Sequence, residues 1–266
     1  MKIVAILGDP AFVSNADYIR LVQGIQACDH SLCVLQKEDE FPQDADVVLG
    51  VGGDGTFLGA ARLAAKHDIP VMGVNFGRLG FLSENTVDMT IDAFRNNSFK
   101  LKERAMLSAD VAGEEFVAVN EIVAHRTGPA MLGVRITIGE RTLPTYWGDG
   151  LIIATASGST AYNLSVGGPI VLPSSKVFLI APIAPHNLNV RPLVIPDNSR
   201  ITMEFVSRDA KISFSADNQS MLLDKDAKVS VSMAQFSLKR LCLEDSSFIK
   251  ALSDKLYWGE DKRNEK

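Results

Sequence analysis

The chain has 266 residues, of which 46% are hydrophobic and 22% are charged, an ordinary composition for a globular protein with one large core or two smaller ones. Its formal net charge of −5 argues against a general nucleic-acid binder, which usually presents a basic surface. Three cysteines without a C-x-x-C pair indicate neither a disulfide framework nor a zinc site, and no apolar run is long enough to cross a membrane. We therefore expect a cytoplasmic protein with no resident metal and with neither nucleic acid nor membrane as a partner.

Before residue 100, short apolar runs alternate with stretches of helical spacing. This alternation predicts a parallel sheet flanked by helices. Only about ten residues, from Gln36 to Ala45, separate the second and third strands, which is short for a crossover helix, so we expect an irregular connection there. The predicted elements are the strand Ile3–Leu7, the helix Tyr18–Ala27, the strands Leu32–Leu35 and Val47–Val51, the helix Phe57–Lys66, the strand Val71–Val74 and the helix Asp88–Asn96.

After residue 100, short alternating or β-branched runs separated by turn residues predict a second, all-β domain resembling a sandwich. Gly139-Glu140 joins two such runs and predicts a hairpin turn. Helical spacing returns over Phe248–Leu256, and we expect this helix to pack back on the first domain. The predicted domains are residues 1–100 with 244–266 packed on them, and residues 101–243. The predicted strands of the second domain are Phe116–Val119, Val134–Ile138, Thr142–Thr145, Leu151–Ala154, Ile201–Phe205, Lys211–Phe214, Val229–Met233 and Phe236–Leu241.

The segment Asp46–Thr56 is an apolar strand that runs into a glycine-rich turn with one carboxylate, Asp54, at its centre. The backbone amides of such a turn, with the positive N-terminal end of the following helix, form a cradle for phosphate. A carboxylate there would repel the phosphate unless it holds a cation or accepts a proton from an attacking hydroxyl. The turn therefore predicts a phosphoryl-transfer site.

Two other interpretations fit the same turn. Gly50–Gly55 matches the dinucleotide fingerprint G-x-G-x-x-G, although the next strand ends in Asn75 and not in the acidic residue of that motif. Asp54 as a simple cap of the helix is the second alternative. No G-x-x-x-x-G-K-[ST] segment occurs, so a P-loop is excluded.

Three polar segments interrupt the β-rich part. Asn120-Glu121 stands between apolar runs and suits either a ribose, whose hydroxyls an amide and a carboxylate can bind, or a strand-end turn. Gly148-Asp149-Gly150 allows a ligand to approach the backbone closely, but an ordinary turn explains it better. Thr155–Ser165 offers several hydroxyls and backbone amides at a helix start, with Tyr162 able to stack on a base or a ribose.

Taken together, these motifs resemble the NAD kinase family. Five motifs occur in the order and approximate spacing of that family: Gly52-Gly53-Asp54-Gly55-Thr56, Asn120-Glu121, Gly148-Asp149-Gly150, Gly158-Ser159-Thr160-Ala161-Tyr162, and Pro185-His186 to Arg191-Pro192. The resemblance covers nearly the whole chain. It implies an N-terminal α/β domain, a C-terminal β-sandwich, a site in the cleft between them, and assembly as a homodimer or homotetramer.

The resemblance also implies an activity and a set of site residues. Members of the family transfer the γ-phosphoryl group of ATP to the adenosine 2′-hydroxyl of NAD, with a divalent metal, Mg²⁺, accompanying the ATP. By position, Asp54 is the proton acceptor and Gly55 lies against the nucleotide. The other positions that the resemblance assigns to NAD binding are Asn120, Glu121, Asp149, Thr160, Ala161, Tyr162, Asn163, Leu164, Ser165 and Gln219. Arg78 and Arg191 are candidates for binding the triphosphate.

The chain departs from the family pattern at several positions. Trp147 stands where many members carry a basic residue, which bears on the nicotinamide side of the pocket. Ala156-Ser157 replaces a common Pro-Thr pair, and Asp217-Asn218-Gln219 replaces Asp-Gly-Gln, where we expect Asn218 to tolerate the left-handed backbone. Two rival functions remain: a lipid kinase of the diacylglycerol or sphingosine type, which also uses a Gly-Gly-Asp-Gly loop, and a non-catalytic NAD sensor.

Overall fold

The computed structural model describes residues 1–35, 37, 40–77, 80–244 and 246–256. The chain divides into two units. One unit is Met1–Glu103 together with the chain from Lys239 onward, and the other is Arg104–Leu238. The polypeptide therefore leaves the first unit once and returns to it.

The first hundred residues build an α/β unit. Its elements are β1 (Lys2–Leu7), α1 (Ala16–Gln26), β2 (Ser31–Val34), β3 (Val47–Gly52), α2 (Asp54–Lys66), β4 (Val71–Asn75), α3 (Val87–Asn96) and β5 (Phe99–Arg104). β1 lies between β2 and β3, and β4 follows β3 on the other side. All of these pairings are parallel, so the carboxyl ends of β1, β3 and β4 lie at one edge of the sheet.

β3 is buried along its whole length because helices cover both of its faces. Leu49 and Val51 belong to a core cluster that includes Leu21 of α1 and Phe94 of α3. On the opposite face, Gly50 meets the backbone of Phe57 in α2, and a Cβ at position 50 would lie 3.2 Å from the Phe57 Cα. A strand covered on both faces needs apolar residues without alternation, which is the pattern that the sequence shows.

The second unit is made almost entirely of strands. Its elements are β6 (Leu107–Val111), β7 (Glu114–Ala118), β8 (Glu121–Arg126), β9 (Leu132–Ile138), β10 (Arg141–Thr142), β11 (Tyr146–Gly148), β12 (Gly150–Thr155), α4 (Tyr162–Ser165), β13 (Val177–Ile183), β14 (Leu193–Pro196), β15 (Ile201–Val206), β16 (Lys211–Ala216), β17 (Gln219–Asp224) and β18 (Lys228–Met233). A 3₁₀ turn over Ser157–Thr160 precedes α4.

Two antiparallel sheets form this second unit. One has the strand order β10-β9-β15-β18-β6-β7, with β11 also paired to β9, and the other has the order β14-β13-β12-β8-β16-β17. Both sheets contribute to one core, for example through Met203 of β15 and Phe214 of β16. Ile152 of β12 and Leu179 of β13 belong to a separate cluster on the other face of the second sheet, against which Val166 packs. That second face is therefore covered by the chain around α4.

The chain returns to the first unit through β19 (Leu238–Leu243) and α5 (Phe248–Leu256). β19 pairs in parallel with β4, with Arg240 opposite Val71, and β5 lies beyond β19 at the edge of the sheet. In α5, Leu252 is buried, and the ammonium of Lys255 donates a hydrogen bond to the carbonyl of Gly80. The predicted return of the terminal helix to the first domain is confirmed.

The predicted fold class, an α/β domain followed by an all-β domain, is confirmed by these sheets. One strand assignment is wrong: Phe236–Leu241 was predicted for the second domain, whereas β19 belongs to the parallel sheet of the first unit. The short connection Gln36 to Ala45 lies partly outside the described residues. Gly139 does turn the chain between β9 and β10, with a φ of 58° and Ile138 paired to Arg141.

Candidate functional site

The glycine-rich turn lies at the carboxyl end of β3, where α2 begins. Gly52 has a φ of 155°, and a Cβ there would collide with the hydroxyl of Thr56, so the turn itself requires this glycine. Gly53 and Gly55 are different, because a Cβ built on either would meet no atom of the described chain within 4 Å. Both are exposed at the N-terminal end of α2. The open backbone at these two positions suits the approach of a phosphate.

Asp54 is the first residue of α2, and Gly53 is the N-cap. Gly53 at the N-cap makes no side-chain cap hydrogen bond, and Asp54 lies one residue inside the helix, so the N-cap position predicted as an alternative for Asp54 is wrong. Its carboxylate instead accepts three backbone N–H bonds, from Phe81 at 3.0 Å, Leu82 at 3.1 Å and Ser83 at 2.8 Å. A carboxylate offers about four acceptor positions, so about one remains for a substrate hydroxyl.

The loop that holds Asp54 requires a glycine at position 80. A Cβ on Gly80 would collide with the Asp54 carboxylate. The loop is also tied to β4, because the Asn75 amide donates to the carbonyl of Ser83 at 3.1 Å. The carboxylate of Asp54 is thereby fixed by a loop that is itself anchored to the sheet.

In the second unit, Asn120 and Glu121 are 8% and 9% exposed at the start of β8. The Asp217 carboxylate accepts the backbone N–H groups of Val119, Asn120 and Glu121 at 2.8, 2.9 and 3.1 Å. The left-handed φ of 51° falls at Asp217 and not at Asn218, and the turn survives with Asn218 in it, since Ala216 pairs with Gln219 across it. The backbone of the Asn-Glu pair is therefore bound by a carboxylate, as the loop 80–83 is in the first unit.

Glu121 is electrostatically unusual. Burial, and next the negative charge of Asp217, raise the pKa of its carboxyl from 4.5 to about 7, while the backbone N–H of Tyr162 acts in the opposite direction. Its Oε2 atom is buried without a hydrogen-bond partner among the described residues. A buried acceptor without a partner costs free energy and marks a position that a ligand hydroxyl can satisfy.

The hydroxyl-rich segment Thr155–Ser165 packs directly on the Asn120-Glu121 pair. The Thr155 backbone N–H donates to the carbonyl of Asn120 at 2.8 Å, and a Cβ on Gly158 would collide with that same carbonyl oxygen. The 3₁₀ turn and α4 are short, and Gly167, with a φ of 80°, follows. The segment predicted as a helix start therefore lies beside the Asn-Glu pair, as the site hypothesis requires.

The individual side chains of this segment differ in what they can reach. Tyr162 is 38% exposed, and Ser165 is also exposed. Thr160, Ala161 and Leu164 are partly buried. Asn163 is completely buried, and its amide donates to the carbonyls of Ser159 and Pro169, both at 3.1 Å. The Asn163 amide nitrogen therefore fastens the segment, and its Oδ1 atom is buried without a hydrogen-bond partner among the described residues.

The Asp149 carboxylate forms an ion pair with a residue of its own unit. The Arg126 guanidinium binds it in a forked ion pair, with Nε–Oδ1 at 2.6 Å and Nη2–Oδ2 at 3.4 Å. The two flanking glycines are needed by neighbouring strands, because a Cβ on Gly148 would lie 2.7 Å from the Ile183 carbonyl and one on Gly150 would collide with the Ala124 carbonyl. Strand packing thus explains both glycines without a ligand.

The remaining predicted residues fall outside these clusters. Arg78 lies outside the described residues. Arg191 is exposed, and its guanidinium donates to the carbonyls of Leu188 and Val190 in its own loop. Gln219 is exposed at the start of β17, next to the turn that carries Asp217. Trp147 packs on Gly133 and lines a cavity of about 330 Å³ together with Met131 and Arg208.

The sequence analysis named Asp217 only as part of a motif and did not single out Arg126 or Arg240, which bind Asp149 and the loop that holds Asp54. Asp217 could have been found as a carboxylate in a hairpin turn, where Asp often binds nearby amides. Arg126 and Arg240 gave no local signal, because a single arginine in a strand is usually a surface residue.

A glycine-rich phosphate turn with a fixed carboxylate, on a parallel α/β sheet, and a β-sandwich with a buried Asn-Glu pair are typical of a nucleotide-binding enzyme. Among the described residues no cluster of three His, Cys, Asp or Glu side chains is arranged to hold a metal ion, and no helix is long and apolar enough to cross a membrane.

Comparison with known proteins identifies which class of nucleotide-binding enzyme this chain resembles. The models of the ATP-NAD kinase N-terminal and C-terminal domains match residues 29–97 and 119–242.

Relatives agree over most of the chain. An NAD kinase of Bacteroides fragilis is 40% identical over 233 residues, which are 85% of this chain and 80% of the relative. An NAD kinase of Christiangramia forsetii is 34% identical over 258 residues, 93% of this chain and 88% of the relative. The chain belongs to the NAD kinase family.

Two solved structures share the fold. The yeast NADH kinase complexed with NADH aligns with a TM-score of 0.85 at 21% identity, covering 100% of this chain and 90% of that one. An NAD kinase from Archaeoglobus fulgidus in complex with ATP aligns with a TM-score of 0.78 at 23% identity, covering 97% of this chain and 99% of that one.

Proposed function

We propose that this chain transfers the γ-phosphoryl group of ATP to the 2′-hydroxyl of the adenosine ribose of NAD, producing NADP and ADP. Family membership supports the overall reaction. The observation that supports the mechanism is the carboxylate of Asp54, which three backbone amides hold at the glycine-rich turn where α2 begins.

In the proposed step, the ribose 2′-oxygen attacks the γ-phosphorus and forms a new O–P bond. The bond between the γ-phosphorus and the β–γ bridging oxygen breaks, ADP leaves, and the hydroxyl proton passes to Asp54. A positioned carboxylate acting as general base contributes about 10² to 10⁴ in rate. Gly55 and Gly53 bring the backbone and the N-terminal end of α2 close to the transferred phosphate.

The second unit supplies the NAD-binding groups in this proposal. Asn120 and Glu121 bind ribose hydroxyls, for which the buried Oε2 atom of Glu121 is available. Tyr162 covers a ring face of the dinucleotide, and the backbone from Thr160 to Ser165 completes the pocket, while Asn163 holds that backbone in place. Asp149 acts with its partner Arg126, and Gln219 contributes from the start of β17.

The triphosphate brings its own cation. In this proposal Mg²⁺ enters as part of the substrate, Mg–ATP, because Mg²⁺ at nucleotide sites keeps mostly phosphate and water oxygens as ligands. We include Arg78 and Arg191 in this proposal as candidate triphosphate ligands, although Arg191 gains no support from the contacts that its guanidinium makes. We further propose that the enzyme works in the cytoplasm as a homodimer or homotetramer.

The two rival functions receive no support from the comparisons, because both family models and the relatives are NAD kinases. The test is direct: purified protein with Mg–ATP and NAD should form NADP, detected with an NADP-specific dehydrogenase. Phosphorylation of diacylglycerol in micelles without NADP formation would establish the lipid kinase. Binding of NAD without any turnover would establish the sensor.

A further inference from the structure

The loop that holds Asp54 is itself held by two cations from the returning C-terminal part of the chain. The Arg240 guanidinium, on β19, donates through Nη2 to the carbonyls of Phe81 at 3.3 Å and Leu82 at 2.9 Å. The Lys255 ammonium, on α5, donates to the carbonyl of Gly80. The loop thus has the Asp54 carboxylate on one side and two positive charges on the other.

The two sets of contacts involve the same three peptide groups. The peptide joining Gly80 to Phe81 accepts from Lys255 at its oxygen and donates to Asp54 at its nitrogen. The next two peptides accept from Arg240 at the oxygens of Phe81 and Leu82, and they donate to Asp54 from the nitrogens of Leu82 and Ser83. Each peptide dipole therefore points from a cation to the carboxylate, and hydrogen bonds linked in this way strengthen one another.

The side chains of Arg240 and Lys255 are both partly buried against other residues of the first unit. The Arg240 side chain is only 15% exposed, and it pairs with Glu84, 18% exposed, at 3.0 Å. Ser246 donates to the same Glu84 carboxylate at 2.9 Å, and the Arg240 guanidinium lies 5.6 Å from the ring centre of Phe57. Surface ion pairs contribute little, but a pair this enclosed holds a fixed geometry.

Lys255 is half-buried over the ring of Phe81, with Nζ 5.1 Å from the ring centre. Burial lowers the pKa of Lys255, and the negative charges of Glu84 and Asp54 act in the opposite direction. The ammonium therefore interacts electrostatically with Asp54, although the two side chains are separated by the peptide of Gly80.

We propose that Arg240 and Lys255 are positioning residues for the phosphoryl-transfer step, acting through the peptides of residues 80–83 to fix the orientation of the Asp54 carboxylate. This inference rests on the proposed function, in which Asp54 accepts the proton. A base works only when its free lone pair faces the hydroxyl, and a displacement of about 1 Å costs as much as 10² in rate. Rotation of any one of the three peptides would release one Asp54 oxygen from its contact.

The first test is Lys255→Met, with Lys250→Met on the exposed side of the same helix as the matched control. Loss of Lys255 should lower kcat by roughly 10- to 100-fold, with KM for NAD and for ATP within about threefold of wild type, because positioning of the base matters only in the transition state. Lys250→Met should leave kcat unchanged. Equal kcat in wild type and Lys255→Met, or a change confined to KM, would overturn the role of Lys255.

The second test separates positioning from folding at Arg240. Arg240→Met leaves Glu84 buried without its cation, which destabilises the fold, whereas the double variant Arg240→Met/Glu84→Gln removes both charges. A purely structural role predicts that the double variant recovers both the midpoint of urea unfolding and kcat. Our proposal predicts that stability recovers while kcat stays at least about tenfold low, because the two peptide oxygens still lack their donor. Recovery of kcat would overturn the role of Arg240.

A double-mutant cycle with Asp54→Asn tests whether the effect passes through Asp54. Residues that act as one unit are not additive, so adding Lys255→Met to Asp54→Asn should change the residual kcat by less than about twofold. A full additional loss would show that Lys255 acts elsewhere. An active Asp54→Asn protein would contradict the role of Asp54 as the base. An inactive Asp54→Asn protein together with normal kcat in the Lys255 and Arg240 variants would contradict only the positioning role of these two cations.

Discussion

The raised pKa of Glu121 makes the stability of the second unit depend on pH in a defined direction. The unfolded carboxyl has a pKa of 4.5, and burial beside Asp217 raises it to about 7 in the folded protein. Between these two values the folded state binds more protons than the unfolded state. The free energy of unfolding contributed by Glu121 therefore falls as the pH rises through that window.

The size of the effect follows from the same two values. Each pH unit between them corresponds to about 1.4 kcal/mol, so the ionised Glu121 costs about 3 kcal/mol at pH 8. At pH 5, which is only just above the unfolded pKa of Glu121, the same destabilisation is about 1 kcal/mol or less. Replacing Glu121 by Gln removes the charge and keeps the shape. The stability advantage of Glu121→Gln over wild type should therefore grow by about 2 kcal/mol from pH 5 to pH 8.

Urea unfolding followed by circular dichroism at the two pH values measures this growth, and Glu114→Gln, on the exposed end of β7, is the matched control. Comparing each variant with wild type at the same pH cancels the other titrating groups. If the difference in free energy of unfolding between Glu121→Gln and wild type is the same at both pH values, the raised pKa of Glu121 is refuted. It is also refuted if the Glu114→Gln control shows the same growth of that difference.

Three further substitutions test the geometry around the two sites. Gly80→Ala places a methyl group on the Asp54 carboxylate, and we expect kcat to fall by roughly 10²-fold while the dissociation constant for NAD stays within about threefold, measured by steady-state kinetics and calorimetry. Gly158→Ala overlaps the Asn120 carbonyl and should lower the free energy of unfolding by about 1 to 3 kcal/mol, measured by urea titration. Arg126→Met removes the partner of the partly exposed Asp149, so the free energy of unfolding should change by at most about 1 kcal/mol while KM for NAD rises. An unchanged KM for NAD would place Asp149 outside the pocket.

Hydrophobic patterning predicted most of the first unit because its central strands β1, β3 and β4 are apolar without alternation. The helices α1 and α2 have apolar residues at helical spacing, which are the residues that they bury. β19 was assigned to the wrong domain because the hydrophobic pattern of a strand predicts that the strand is buried but does not predict which sheet it joins. Its partner, β4, lies far away in sequence, and such pairings have no local signal.

The β-rich unit was predicted as a class, but several of its strands were not found. β13 was missed although it is almost entirely apolar; Pro182 lies inside the run, and a proline within a run weakens its assignment as a strand. β17 is largely exposed, with only Leu223 fully buried, so its alternation is weak. The hairpin at Gly139 was predicted because its turn chemistry is local.

For the candidate sites, the sequence indicated which residues matter but not what holds them. Asp54 and the Asn120-Glu121 pair were identified from residue type in an unusual context. Their partners are main-chain amides of residues 81–83 and the carboxylate of Asp217, and main-chain donors carry no residue signature. The buried Asn163 side chain likewise gave no sign in the sequence of the two carbonyls that its amide nitrogen binds.

The most direct test of the central claim compares wild type with Asp54→Asn in a single-turnover experiment, with enzyme in excess over NAD and saturating Mg–ATP. We predict that the rate of NADP formation falls by at least about 10²-fold in the variant while the calorimetric dissociation constant for NAD stays within about threefold. An Asp54→Asn protein that forms NADP at close to the wild-type rate would contradict the account.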